Sequence, residues 1–362
     1  MTPDAVREQA ADAGVGRSAL PANFGDAAAE YRAVREAAGV AERRDRAWIR
    51  LWGRDPVRMV QGLITSDLAG APEGCAVYGA LLTPKGRMVA DLRAFRRQSE
   101  NGDEVVLDLP GEALAGTREH LGKYVPPMFA RWEEAADAFG MLGVYGPEAH
   151  TACSELLGDD LPRLAEDEVW LGSSAGSAVT VIGTREWGGE EGYDLLLPPE
   201  GVAELRERLL AGDGARAVGR DALEALRIEA GRPAYGAELS EEVIPTEAWE
   251  ATGMMERGIS FTKGCYTGQE VIIRIAHRGH VNRHLRGLLL GDAAALPESA
   301  LFADEGDRNV GRVTSVTNSP LLGQRIGLGY VRRELAPGDK VRVGEPGGER
   351  ATVVRLPFAP GP

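Results

Sequence analysis

Leu226-Arg227-Ile228-Glu229-Ala230-Gly231-Arg232-Pro233 runs on through Tyr235 and Gly236 to Ile244 and Pro245. Apolar residues recur at helical spacing from Ala222 to Ala230, and Gly231, Arg232 and Pro233 stop the helix, because proline has no N–H to extend it. Glu229 therefore stands at a helix end, where a ligand can sit.

Working outward, residues up to about Asn23 are small and polar. Asp26 then caps a helix with Tyr31, Val34 and Ala38 on one face, ended by Gly39. Strand texture follows at Trp48 to Leu51, Tyr78 to Thr83 and Met88 to Phe95, with a helix from Pro56 to Leu63. Met141 to Tyr145, Val179 to Ile182 and Tyr193 to Leu197 read as strands of a second lobe, with helical spacing at Leu205 to Leu210. This predicts an α+β region over 1–280, with lobes near 24–135 and 136–280 arranged in series or interleaved. Beyond His284 come short β-like runs at Leu285 to Leu290, Val310 to Val316, Ile326 to Val331, Lys340 to Val343 and Ala351 to Leu356. They predict a small β-barrel or sandwich over 281–362.

A chain of 362 residues with 41 basic and 55 acidic side chains, net charge −14, is no general polyanion binder, so any contact with RNA or an acidic membrane must be local. Met1 to Ala11 holds no signal-like apolar core and no later run is long enough to span a bilayer, which predicts a cytoplasmic protein with no membrane contact. Cys75, Cys153 and Cys265 are widely spaced and need no disulfide.

Lys263-Gly264-Cys265-Tyr266-Thr267-Gly268-Gln269-Glu270 gathers a thiol, two glycines and opposite charges just before the apolar run Val271 to Ile273. Lysine otherwise occurs only at Lys85, Lys123 and Lys340, so Lys263 is either a chosen ammonium or an exposed survivor in an arginine-rich chain. Cys265 has three readings: a reactive thiol favoured by Lys263, a metal ligand, or a buried filler. His277, His280 and His284 do not make the convergent set a zinc site needs, so no metal is expected. Arg274, Arg278, Arg283 and Arg286 in the same stretch make 274–286 either a solvated edge or a local site for an acidic folate tail or an RNA phosphate.

The 226–245 stretch resembles the glycine cleavage T-protein superfamily. Ala33 to Val40, Gln61 to Leu68, Gly188 to Leu197, Gly311 to Ser315 and Gly329 to Val331 resemble its other segments in the same order. The resemblance implies a three-domain cloverleaf, two α+β lobes plus a C-terminal β-barrel, with tetrahydrofolate in a central cavity. Within that superfamily, the octapeptide at 263–270 is similar to the signature of the YgfZ-type folate-binding proteins, which are linked to iron–sulfur enzyme maintenance and tRNA modification.

Carried over residue by residue, the resemblance makes Glu229 the pterin-binding carboxylate, which can accept two adjacent N–H donors. Its bland alternative is an acceptor or ion-pair partner for Arg227. Tyr78 and Asp91 match a folate-lining tyrosine and the acid at the reacting nitrogens. Aminomethyltransferases usually carry two acids before the leucine that follows, whereas this chain has Ala90, Asp91, Leu92. Glu190 and Tyr193 fall in a glycine-rich turn like one that borders the cavity. Tyr235 can stack on a pterin or simply be half-buried, Arg257 can grip a glutamate-tail carboxylate, and Lys263 joins the folate-binding set.

The implied first function is a tetrahydrofolate-binding accessory protein for iron–sulfur enzymes and tRNA modification, with Asp91 and Cys265 as the reactive groups. The alternative is a folate-dependent aminomethyl or methyl transferase.

Overall fold

A computed structural model of the chain describes residues 20–99, 102–158, 160–174, 176–187, 191–212 and 214–358. Asp26 accepts the Ala29 N–H at 2.9 Å and starts α1 (Ala27–Glu36). The helix ends earlier than its apolar face predicts, because Ala38 and Gly39 belong to β1 (Ala38–Glu42). A Cβ on Gly39 would stand 2.5 Å from Val34 Cγ2 and 2.7 Å from Val218 Cγ2, so only glycine lets the strand cross so close to the helix.

The first sheet is built from β2 (Arg46–Trp52), β3 (Ala76–Leu82), β4 (Met88–Ser99), β5 (Gly102–Pro110) and β6 (Arg131–Glu134), in the order β3-β4-β5-β2-β6, all antiparallel. Strand alternation gives it two distinct faces. Ile49, Leu51, Leu92, Ala94, Val105 and Leu107 pack outward beneath α2 (Pro56–Gln61) and α3 (Leu114–Tyr124).

The second sheet runs β11-β1-β7-β10-β9-β8, from β7 (Gly140–Tyr145), β8 (Val169–Ser174), β9 (Ser177–Thr184), β10 (Gly192–Leu197) and β11 (Ala215–Ala217) joined to β1. Its outer face, with Val40, Leu142, Val144, Val181 and Leu195, is covered by α4 (Ala149–Leu157) and α5 (Pro199–Ala211). The inner faces meet each other: Trp48, Phe95 and Val106 of the first sheet pack on Met141, Ile182 and Leu196 of the second. Because β1 precedes β2 in the chain yet lies in the other sheet, the two lobes interleave rather than dividing at residue 135.

From β11 the chain enters α6 (Arg220–Glu229), which packs on α1, and then crosses the molecule through α7 (Pro245–Trp249), α8 (Met254–Gly258) and α9 (Gln269–Arg278). The run Val271 to Ile273 and the basic residues after it are thus helical as far as Arg278. Gly268 starts that helix in the left-handed region (φ +82), where a Cβ would meet Thr83 O at 2.6 Å.

Beyond it, β12 (Arg283–Leu289), β13 (Ala300–Ala303), β14 (Asn309–Ser319), β15 (Gln324–Arg332), β16 (Lys340–Val343) and β17 (Arg350–Val354) close into a barrel. Leu288, Leu301, Val313, Val331, Val341 and Val353 fill it. Closure excludes the sandwich. Arg227 and Glu238 tie the barrel to the lobes: they pair at 2.9 Å, and Glu238 also accepts from Thr314 and Ser315 at 2.7 and 2.6 Å. The architecture is two α+β lobes and a six-stranded β-barrel.

Candidate active site

Tyr78, Asp91 and Arg93 share the inner face of the first sheet, because Tyr78 lies directly opposite Arg93 and Asp91 is two residues before it on the same strand. The Tyr78 hydroxyl donates to Asp91 Oδ2 at 3.0 Å, while Asp91 Oδ1 is buried and accepts nothing. A buried carboxylate oxygen without a donor is costly, and native structures keep such an atom where a ligand can satisfy it. Burial pushes Asp91 up to about 6; the Arg46 charge and the Tyr78 hydroxyl oppose that rise, and the Glu186 charge adds to it. A group titrating near neutrality in this setting is suited to proton transfer.

A polar network extends from this point across the seam between the sheets. Asp108 accepts from Arg46 Nε at 2.8 Å and from Arg93 Nη2 at 2.6 Å. Burial pushes Asp108 up, but the two guanidinium groups more than offset it and hold it at about 2. Arg93 Nη2 also stands 2.7 Å from Asp194 Oδ2, an ion pair without an aligned hydrogen bond. Tyr145 completes the bridge by donating to Asp194 Oδ1 at 2.7 Å while accepting from Arg43 at 2.9 Å. Arg46, Arg93, Asp108, Glu186 and Asp194 were not among the residues the sequence singled out. The signal available was a charged residue at every other position of an otherwise apolar strand, at Asp91 and Arg93.

Arg257 lies over the Tyr78 ring, its Cζ 4.7 Å from the centroid, with Trp249 packed against the same ring at 5.4 Å. Its fork is already filled. Nε and Nη2 hold the Asp167 carboxylate at 2.7 Å each, and Nη1 meets Glu166 at 2.9 Å. The carboxylate Arg257 grips is thus the chain's own. Tyr235 is half-buried where the outer core of the first lobe meets the junction with the barrel. Burial raises its hydroxyl, with the charges of Glu241 and Asp91 adding to the rise.

Glu229 is elsewhere. Its carboxylate is buried between α1, α6 and the turn after β14, where Oε2 accepts from the Tyr31 hydroxyl at 2.6 Å and from Arg35 Nη2 at 2.8 Å. Oε1 takes the Ser319 hydroxyl and the Leu321 N–H. Its ion-pair partner is Arg35, not Arg227, which turns the other way to Glu224 and Glu238. Both oxygens being occupied by the chain, Glu229 has the geometry of a tie.

Lys263 is buried, and its ammonium donates to the carbonyls of Gln61, Ile64 and Ser66 at 2.6, 2.8 and 2.8 Å. Three donors meet three acceptors. Burial pushes its pKa down to about 8, with Asp67 drawing it back up. Ser66 in turn donates to the Tyr78 carbonyl, so Lys263 fixes the segment that supports Tyr78 without facing a ligand itself. Cys265, two residues on, is exposed, whereas Cys153 is buried and pushed far up by that burial.

Within 274–286, Arg274, His277 and His280 are exposed, but Arg283 is bound to Glu247 at 3.1 Å and His284 Nδ1 lies 3.6 Å from Glu250. Among the described residues no three His, Cys, Asp or Glu side chains converge on a metal position. Glu190 lies outside the described residues. Tyr193 faces away from the seam, donating to Glu191 at 2.8 Å in the outer core.

Comparison with known proteins agrees with this architecture domain by domain. Residues 4–252 match the GCVT N-terminal domain and residues 283–359 the glycine cleavage T-protein C-terminal barrel domain. An aminomethyltransferase of Rubrobacter xylanophilus is 30% identical over 346 residues, covering 94% of this chain and 88% of that protein. One from Shouchella clausii is also 30% identical, over 94% of this chain and 91% of its own. The crystal structure of glycine cleavage system aminomethyltransferase T from Bartonella henselae superposes with a TM-score of 0.78 at 22% identity, covering 94% of this chain and 91% of that one. No helix among the described residues is long and apolar enough to cross a membrane. With both of its domain types matched in order, the lobes and then the barrel, the chain belongs to the glycine cleavage T-protein family.

Proposed function

We propose that the chain binds a reduced folate at the seam beside Tyr78 and Asp91 and transfers a one-carbon unit, aminomethyl or methyl, with Asp91 as the acid–base group. The observation that carries this reading is Asp91 Oδ1, a buried acceptor without a donor, on a carboxyl held at about 6. The aminomethyltransferases it resembles support the same class of reaction.

An unpartnered carboxylate oxygen suits an N–H donor of tetrahydrofolate, so the donor set fits. Tyr78 and Asp91 would hold the cofactor, with Tyr235 near by. Tetrahydrofolate, when bound, supplies the nitrogens that carry the one-carbon unit. The chain's own part follows from its charges. With a pKa near 6, Asp91 is ionised in all but roughly a tenth of molecules at pH 7, ready to accept a proton at Oδ1. Tyr78 fixes the other oxygen and stays protonated, because burial raises its hydroxyl far above its usual value. The Arg46–Asp108–Arg93–Asp194 network keeps the floor of the seam rigid and charge-balanced.

The test is calorimetric titration with tetrahydrofolate and its formyl and methyl forms, followed by turnover assays of Asp91→Asn. Folate binding should fall only moderately, while one-carbon transfer falls on the order of 10²–10⁴-fold. Unchanged turnover in that variant would sink the reading.

One observation favours a second reading. Cys265 is an exposed thiol on a turn that Lys263 makes rigid, as an accessory folate-binding protein acting on iron–sulfur enzymes and tRNA modification would require, with exposed Arg274, His277 and His280 as its RNA contact. Folate binding without turnover of any donor, together with loss of iron–sulfur enzyme support in Cys265→Ser, would select it.

A further inference from the structure

The outer face of the barrel carries an arrangement of charge that neither the seam nor the Cys265 turn uses. Arg283 on β12 and Arg332 on β15 are directly opposite each other in the antiparallel ladder, and Arg312 on β14 is opposite Tyr330, two residues before Arg332. Residues directly opposite, and residues two apart, share a face, so these three arginines and Tyr330 lie on one side of the sheet. Like charges directly opposite each other destabilise a strand pair unless something neutralises them. Arg283 has Glu247, yet the side chains of Arg332 and Arg333 have no hydrogen bond or close ion pair among the described residues; the Arg332 charge acts on Glu334, which Arg308 holds at 2.8 Å.

These groups line an open groove of about 1080 Å³ together with Asn282, Glu298 and Glu334, four arginines against two carboxylates. Arg312 is paired with Glu298 at 2.8 Å through Nη1, while its Nε is buried and without an acceptor. In a chain of net charge −14, two guanidinium groups without a hydrogen-bonded partner beside a third with an unfilled N–H make a local anion site, far larger than a single phosphate needs.

We propose that this groove docks an acidic, Asp/Glu-rich segment of a partner protein. Carboxylates match the planar guanidinium fork two bonds at a time. Because the barrel is closed, no strand edge is free to pair with a peptide backbone, and recognition runs through side chains. Single-stranded nucleic acid is disfavoured by the absence of a stacking platform: Tyr330, the one aromatic in the lining, is buried with Arg283 over its ring at 4.6 Å.

The experiment is fluorescence anisotropy of the full chain with a labelled oligo-glutamate peptide and with a labelled oligouridylate of equal charge, at low and at physiological salt. The peptide should bind the more tightly of the two and weaken with salt, as charge pairing at an exposed surface requires. Arg332→Glu with Arg333→Glu should lower peptide affinity at least about tenfold and leave one-carbon transfer and thermal stability unchanged, since neither side chain has a hydrogen-bonded partner to lose. Arg312→Gln should weaken the peptide by a smaller factor. No peptide binding, equal or tighter binding of the uridylate, or affinity unmoved by the double variant would each overturn the proposal.

Discussion

Glu229 and Asp91 are both buried carboxylates, one at the end of a helix and one in mid-strand, and they differ in what is left over. Every oxygen of Glu229 is occupied by Tyr31, Arg35, Ser319 or Leu321, so the group joins α1, α6 and the barrel. Asp91 has one hydrogen bond and one empty oxygen, and its proton affinity is raised where that of Asp108, two arginines away, is lowered. A residue's place in a motif does not tell these cases apart; the unspent hydrogen-bonding capacity does.

The comparison breaks first if Glu229 can be removed without cost. Glu229→Ala removes the acceptor of Arg35 Nη2 and of the Tyr31 and Ser319 hydroxyls, and should destabilise the protein by about 3 kcal/mol in urea unfolding. Reduced-folate affinity, measured in the fraction that stays folded, should be unchanged. A folate-specific loss in a variant of full stability would return Glu229 to the ligand.

Asp91 should behave in the opposite sense. Its folded-state pKa is above its unfolded value, so between about pH 4 and 6 the folded protein holds a proton that the unfolded chain has released, and stability declines as pH rises through that window. About two pKa units correspond to an upper bound near 3 kcal/mol. Asp91→Asn should therefore be the more stable protein at pH 8 and lose that advantage at pH 4. A variant that is less stable than the native protein at pH 8 would mean that the carboxylate is satisfied in some way the unpartnered Oδ1 does not reveal.

Much of the fold was legible because its elements follow short-range rules. Apolar strand texture between turn residues marked the strands at Trp48, Tyr78, Met141 and Tyr193, and the five C-terminal β-like runs overlap five of the six barrel strands, β13 being the one they missed. What failed were boundaries set by long-range packing. Ala38 and Gly39 continue the apolar helical pattern, but β11 and β7 recruit them into a sheet. The site was legible in part for the same reason. Tyr78 and Asp91 lie on adjacent strands in register, so the resemblance could place both, whereas Arg93, Asp194 and Glu186 come together only when two sheets stack face to face. Arg257 and Lys263 were read as ligand contacts from the resemblance and their charge; each spends its donors on the chain itself, which only coordinates can count.

Lys263 sharpens the contrast within the 263–270 turn. Lys263→Met removes three hydrogen bonds to Gln61, Ile64 and Ser66 and should cost about 2 kcal/mol, with no direct effect on a ligand. Arginine cannot restore them, because a planar fork does not reproduce the tetrahedral spread of an ammonium. A melting temperature unchanged in Lys263→Met would show the carbonyls satisfied by water instead.

Two residues away, Cys265 should show the smallest effect on stability and the largest dependence on what is assayed. The thiol is exposed and the neighbouring Gly264 has open space around it, so Cys265→Ser should change unfolding free energy by less than about 0.5 kcal/mol. In the native protein an alkylating reagent should modify Cys265 before Cys75 and long before Cys153, which burial both shields and keeps protonated. Folate-dependent transfer should survive the serine variant if Asp91 carries the chemistry alone. Transfer lost with stability and folate affinity intact would instead put the thiol in the reaction, and Asp91 would then not carry the chemistry alone.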